Sequence, residues 1–268
     1  MERFQTIQLS INKPVSTIWL NRPEVRNAIN AAMINELLSA LKYAEEDSQV
    51  RIIVIRGKGK VFCSGADLNW MRDAVNYSRE ENYREAILLS ELFGRIYACS
   101  KPVITVVHGA STGGANGLVA ASDVALSADD TLFSLSEVKS GLVPAVISPY
   151  IIKRTGEFPA RELMLTARRI YGKEAAERGL VNHSFPAEEL DKELGETIEH
   201  LLEGGPQALK ITKSMIRDVC NNWNFEIAME KTAGIIADMR TSEEGQEGMT
   251  AFLEKRKPAW VEKYKMNI

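Results

Sequence analysis

Cysteine is scarce in this sequence and unpaired in pattern: Cys63, Cys99 and Cys220 make an odd number and contain no CxxC motif. That suits a reducing compartment better than a disulfide framework, with all three expected as buried thiols. An excess of one charge is also lacking. Lys and Arg total 33 against 36 Asp and Glu, a net charge of -3, so no general attraction to nucleic acid or to anionic membranes is expected. No segment approaches the ~18 apolar residues of a membrane span, and the opening MERFQTIQLSI is acidic and polar where a signal peptide needs an apolar core. A cytoplasmic protein is expected, or an organellar one whose transit peptide has been trimmed.

Several catalytic signatures are missing too. The run Gly109 to Gly114 lacks G-x-G-x-x-G spacing, and Arg56-Gly57-Lys58-Gly59-Lys60 lacks the Walker A pattern, so hydride transfer and nucleotide hydrolysis have no motif. Ser64 and Ser111 have no His and acid partners in a nucleophile-elbow pattern. His183 and His200 have no carboxylate or cysteine at ligand spacing, so no metal site is expected. His108, ending an apolar run, reads as structural.

What is present is enough apolar residue, 45% of 268, for one large domain, with or without a smaller appendage. Strands are expected at Thr6 to Ile11, Val15 to Leu20, Ile52 to Ile55, Val103 to Val107 and Val124 to Ala128. Asn30 is a candidate N-cap for a helix through about Ala44, with Ile29 and Ile34 placed as a hydrophobic staple. A second helix is expected from Glu80 to Ala98, where Leu88, Leu92 and Ile96 recur every four residues. Apolar strands alternating with helices mean a sheet covered on both faces, hence an α/β fold. From Pro206 the pattern is helical only, over Gln207 to Asn221, Phe225 to Met239 and Glu243 to Glu254. The division expected is an α/β core over 1–205 and a helical region over 206–268, whose apolar faces must pack on the core or on another subunit.

Two small-residue turns join strand to helix: Cys63-Ser64-Gly65-Ala66-Asp67-Leu68, with Asp67 a natural N-cap, and His108-Gly109-Ala110-Ser111-Thr112-Gly113-Gly114-Ala115-Asn116-Gly117. Turns of this kind let a ligand approach main-chain N–H groups that have no helical partner, so they can hold an oxyanion. For either turn alone, a plain connection needing small residues is the simpler reading. Glu137 lies among apolar and hydroxyl residues, Thr131 to Val138, where a carboxyl has a raised pKa suited to proton transfer. A surface residue at a helix start is the simpler reading there as well.

Taken together, Asn21-Arg22-Pro23, Arg26-Asn27-Ala28-Ile29-Asn30, Phe62 to Leu68, His108-Gly109-Ala110 with Gly113-Gly114, Phe133 to Glu137, and Ala251 to Pro258 stand in an order and at intervals that resemble the crotonase (enoyl-CoA hydratase/isomerase) superfamily. The resemblance covers nearly the whole chain. It implies a spiral of ββα units with a C-terminal helical region that forms a homotrimer or dimer of trimers. It also implies an oxyanion hole from the Ala66 and Gly114 amides, and substrate contacts from Arg26, Ala28, Ser64, Ala66, Asp67, Leu68 and Gly114. Glu137 becomes the catalytic acid/base, acyl-CoA the substrate, and no cofactor is needed because coenzyme A is part of that substrate.

Many hydratases of the superfamily carry a second glutamate, at the place held here by Gly117, and a proline where Ser136 stands. One carboxylate can still hydrate an enoyl thioester, as expected here, or act as a Δ3,Δ2-enoyl-CoA isomerase or an acyl-CoA decarboxylase. The non-enzymatic alternative is an acyl-CoA-binding protein. Ala66 to Met71 and Phe133 to Pro149 look similar to methylglutaconyl-CoA and carboxygeranoyl-CoA hydratases of leucine and isoprenoid breakdown, which implies a branched or carboxylated acyl group. Lys139 and Arg72 are candidates to meet a distal carboxylate, though solvated side chains are the simpler reading. The clusters Arg56 to Lys60 and Lys255 to Lys257 are likewise read as solvated surface, or as contacts for the adenosine end of coenzyme A.

Overall fold

Buried strands must find neighbours on both edges, and in the computed structural model, which describes residues 4–261, they do so by winding as a spiral. Each turn adds a strand to one sheet, then a shorter extended segment to a second, then a helix. The hairpin β1 (Ile7–Asn12) and β2 (Val15–Leu20), the bridge residue Ile29 and α1 (Ala31–Glu46) form the first turn. β3 (Ile52–Gly57), the segment at Cys63 to Ala66, α2 (Leu68–Ala74) and α3 (Arg79–Ala98) form the second. β4 (Val103–Val107), β5 (Ala110–Thr112) and α4 (Ala115–Ala121) form the third. The fourth has β6 (Val124–Ala128), β7 (Leu132–Ser134), a 3-10 turn at Glu137–Ser140, α5 (Ser148–Thr155) and α6 (Glu157–Thr166). β8 (Ile170–Tyr171), α7 (Gly172–Glu177), β9 (His183–Phe185) and α8 (Leu190–Glu203) close the spiral, and α9 (Pro206–Asn221), α10 (Phe225–Thr241) and α11 (Glu243–Leu253) follow.

The first sheet runs β1-β2-β3-β4-β6-β9, parallel from β2 onward. The second runs β5-β7-β8 and is extended by the parallel bridges Cys63 to Ser111 and Ile29 to Ala66. One apolar core lies between the first sheet and α1, α3, α4 and α5, the other between that sheet and α8. The α/β class and the ββα winding are therefore as the sequence implies.

Local chemistry explains where elements begin. Asn30 accepts the Met33 N–H at 2.9 Å to cap α1, and both staple residues, Ile29 and Ile34, are buried. β1 starts one residue later than predicted because Thr6 gives its N–H and hydroxyl to Glu36. α3 starts at Arg79, before the predicted Glu80, because Ser78 and Glu81 form a reciprocal capping box. One cysteine expectation fails: Cys63 and Cys99 are buried, but Cys220 is exposed, since α9 buries no residue at all.

The C-terminal helices match their predicted spans to within two residues at each end. The last residues of the predicted helical region, 262–268, lie outside the described residues. α9 is held to the core by Lys213, whose Nζ donates to Asp123 Oδ2 at 2.6 Å and to the Lys101 carbonyl at 3.1 Å. Among the described residues no helix is long and apolar enough to cross a membrane.

Candidate active site

Ala66, Gly114 and Glu137 occupy consecutive turns of the spiral, each just past a strand of the second sheet. The register sets Cys63 beside Ser111, and Ser111 beside Phe133. Past those pairs the two segments stay in contact: Thr112 Oγ1 donates to Ser64 O at 2.6 Å, and a methyl group on Gly65 would stand 2.7 Å from Thr112 O, so the turns bearing Ala66 and Gly114 leave neighbouring segments. At Ala66 the bridge is made by its neighbours: Ile29 N–H donates to Gly65 O at 2.7 Å, and Asp67 N–H to Ile29 O at 2.8 Å. The Ala66 N–H must then point the other way. Gly114 is the residue before α4, so its amide is one of the donors a helix leaves unpaired. Neither amide donates a hydrogen bond to another described residue.

The turn that carries Gly114 is rigidly tied. The Gly113 N–H donates to Ser134 O at 2.8 Å, and the buried Asn116 amide donates to Gly113 O and Ser134 O, both at 3.0 Å. Ser111 Oγ in turn donates to Asn116 Oδ1 at 3.0 Å. Gly113 has φ +53°, which favours glycine, and a methyl group there would stand 3.5 Å from Glu137 Oε1. Glu137 thus lies against the Gly113-Gly114 turn. Its Oε2 is buried and has no hydrogen-bond partner among the described residues. Burial pushes the Glu137 carboxyl above its ordinary value, against a smaller opposing effect of its own main-chain N–H. The residue is half-buried at the start of a 3-10 turn, so the surface reading of it fails.

A cleft of about 600 Å³ opens beside Ala66 and is bordered by Arg26, Ala28, Ser64, Asp67 and Leu68 as well. Six of the seven predicted substrate contacts are therefore gathered on one cleft, and Gly114 stands on the adjoining turn. Arg22 fixes its wall: Nη1 pairs with Asp67 Oδ2 at 2.8 Å and donates to Ala28 O at 2.7 Å. Burial works against ionised Asp67, but the Asn69 N–H and Arg22 outweigh it and hold the carboxyl below its ordinary range. Arg26 and Asn27 both have φ 55°, a strained conformation for side chains larger than glycine. Asn27 holds it in place, its buried Nδ2 donating to Lys58 O, Val61 O and Phe62 O at 2.8 to 3.0 Å and its Oδ1 accepting Arg22 N–H at 2.9 Å.

Other expectations are sorted by position. Arg72 borders the first cleft, bonded to Asn69 Oδ1 at 2.9 Å, whereas Lys139 borders a separate hollow of about 380 Å³ with Arg26 and Arg169. Of the basic clusters, Lys60, Lys255 and Lys257 are exposed, whereas three members have partners. Arg56 pairs with Asp191 at 2.6 Å, Lys58 stands 4.0 Å from the Trp19 ring centroid, and Arg256 pairs with Glu247 at 2.7 Å. His108 Nε2 meets Gly59 O at 2.9 Å, a structural contact. The sequence reading missed Arg22, Asn27 and Asn116 as the supports of these turns. The available signal was a polar residue fixed among small or apolar ones, but its partners are distant in sequence.

A model of the enoyl-CoA hydratase/isomerase family matches residues 10–263 of this chain. The structure is similar to that of an enoyl-CoA hydratase from Shewanella pealeana, with TM-score 0.92 and 36% identity over 96% of this chain and 97% of the other. It is equally similar to Pseudomonas aeruginosa AtuE, with TM-score 0.92 and 35% identity over 96% and 100% of the two chains. In sequence the chain is 30% identical to the trans-2-decenoyl-[acyl-carrier-protein] isomerase of Streptococcus mutans, covering 97% of this chain and 99% of that one.

Proposed function

As the chain belongs to the enoyl-CoA hydratase/isomerase family, we propose that it adds water across the 2,3 double bond of an acyl-CoA thioester, with Glu137 as the one acid/base group. The observation that carries this reading is the buried, unpartnered Glu137 Oε2 beside the Gly113-Gly114 turn. In the proposed cycle the Ala66 and Gly114 amides hold the thioester oxygen. Glu137 takes a proton from water as the water oxygen bonds to C3, and the thioester becomes an enolate whose charge the two donors stabilise, each contributing about 3 kcal/mol. The same carboxyl then returns the proton to C2. A carboxyl with a raised pKa is a better acid in the second half of that cycle than an ordinary one.

Coenzyme A enters as part of the substrate, in the cleft bordered by Arg26, Ala28, Ser64, Asp67 and Leu68, and no separate cofactor is required. The similarity of Phe133 to Pro149 to methylglutaconyl-CoA type hydratases supports a branched or carboxylated acyl group, as in leucine breakdown. Exposed apolar residues on α9 to α11 support assembly as a homotrimer or dimer of trimers, and unpaired cysteines support a cytoplasmic setting. Light scattering should give a multiple of three chain masses; a monomer would refute the assembly.

Isomerisation is the second reading, favoured by the single carboxylate and by the isomerase among the similar proteins. The experiment that separates the two offers plain, branched and carboxylated 2-enoyl and 3-enoyl thioesters in ¹⁸O-labelled water. Hydration places label in a 3-hydroxyacyl product. Conversion of 3-enoyl to 2-enoyl thioesters with no label, and no hydration of any 2-enoyl thioester, would overturn the proposal in favour of the isomerase.

A further inference from the structure

Gly117 lies on α4, three residues beyond Gly114 at the helix start, and side chains of α3 stand against both positions. Beside Gly114 the neighbour is loose: a methyl group there would stand 3.9 Å from Leu89 Cδ2. Beside Gly117 it is not. A methyl group there would stand 2.4 to 2.6 Å from three carbons of the Phe93 ring. Leu89 and Phe93 are themselves four residues apart on α3 and so share one face of it. The Phe93 ring is fully buried and meets Tyr150 edge-on, with ring centroids 6.2 Å apart, and Tyr150 in turn meets Tyr97 at 5.6 Å. The notch at Gly117 is thus filled by a fully buried aromatic ring that packs on Tyr150.

We infer that Phe93 is the residue that restricts the site to one carboxylate, by occupying the space any side chain at position 117 would need, and that the same contact positions the α4 turn bearing the Gly114 amide. The inference rests on the reading that Glu137 works alone beside that turn, and it changes what the glycine means. Position 117 is closed by packing, so placing an acid there requires a change on α3 as well. Phe93 is a positioning residue and touches no reacting atom.

The test is a double-mutant cycle read by thermal unfolding and by pH profile. Gly117→Ala should lower Tm by about 5 °C or more, the consequence of overpacking a closed contact. Phe93→Leu removes the distal ring atoms that meet position 117, so Phe93→Leu/Gly117→Ala should recover most of that loss, giving strong non-additivity. Should the single alanine variant fail to fold, a folded double variant carries the same conclusion. A Tm for Gly117→Ala within about 1 °C of the parent, or an additive cycle, would overturn the inference. Phe93→Ala/Gly117→Glu should in addition convert a kcat/KM profile with one ionisation into one with two; a folded double variant with a single ionisation would show that Phe93 withholds no second acid. Absence of turnover in the parent protein would refute the proposed function while leaving the unfolding cycle to decide the packing claim.

Discussion

Helices α1 and α10 are nearly equal in length, 16 and 17 residues, yet α1 buries Met33, Ile34, Leu37, Ala40, Leu41 and Ala44, whereas α10 buries none. Both begin with an asparagine whose side chain accepts the N–H three residues on, so capping does not distinguish them. Partnership does. The face of α1 lies against the first sheet and α3, within its own chain. Phe225, Ile227, Met229 and Ile236 on α10 are exposed, as are Ile216 on α9 and Phe252 and Leu253 at the end of the chain's helical region. Helical propensity and a good cap make a helix possible; burial of its apolar face supplies most of the stability. The spiral is therefore closed upon itself, while the C-terminal helices present surface that the single chain leaves uncovered.

Matched truncations on the two helices should show the largest difference. Leu37→Ala removes a fully buried side chain and is expected to cost about 2–5 kcal/mol, from lost burial and the cavity left behind. Ile236→Ala in dilute, dissociated protein should cost less than about 0.5 kcal/mol, and more as concentration rises, if α10 is covered by a second copy. Denaturant unfolding at two protein concentrations measures both. Equal costs at low concentration would erase the distinction between the regions.

Period and composition made the elements of both regions legible. Strand and helix alternation up to Pro206 and pure helix beyond it are local patterns, and the helices after Pro206 fall almost where the spacing puts them. The two- and three-residue strands β5, β7, β8 and β9 are too short to leave a period, and only pairing with distant segments makes them strands. Within the site, the small-residue turns and the apolar setting of Glu137 were readable, and family resemblance joined them. The supports were not readable. Asn27 bonds to residues more than thirty positions away, and Phe93 closes on Gly117 from another helix, so neither contact has a signature in one stretch of sequence.

Glu137→Gln sharpens the contrast from the side of the spiral, because it should separate activity from stability. Turnover should fall at least ~10²-fold, since the amide cannot act as a base. The fold should not suffer. A carboxyl whose folded pKa is raised stabilises the protein only while protonated: that contribution is complete below the unfolded value of 4.5 and is lost as pH rises through the folded value. The glutamine variant should therefore match the parent below about pH 4 and be equally or more stable at neutral pH. Thermal melts across this range check the sign, and a variant less stable at pH 7 than at pH 4 relative to the parent would contradict the burial of Glu137.

The smallest effect, and the finest probe of the two regions, lies in their ion pairs. Arg22 and Asp67 meet at 2.8 Å with side chains 18% and 7% exposed, whereas Arg256 and Glu247 meet at 2.7 Å with 41% and 28% exposed. Both carboxyls are held below their ordinary range, Glu247 to about 2 by Arg256 and the Ala259 N–H, Asp67 by the Asn69 N–H and Arg22 against an opposing effect of burial. Position in the fold, more than geometry, should decide what each pair is worth. Asp67→Asn keeps a side chain able to cap α2 and removes the charge that Arg22 meets, so its cost isolates the ion pair at about 1 kcal/mol, reduced by the solvent that still reaches Arg22. Glu247→Gln should shift Tm less, because solvent screens its partner more fully. Since the folded pKa of Asp67 is depressed, its contribution is present above the unfolded value of 3.8 and is lost as pH falls through the folded value. The gap between the parent and Asp67→Asn should thus be constant near neutrality and close below about pH 4. Added salt should narrow the Glu247→Gln difference first. If Glu247→Gln proved the more damaging change in dissociated protein, the C-terminal helices would be stabilised within their own chain, and their exposed apolar faces would need another explanation than a second copy.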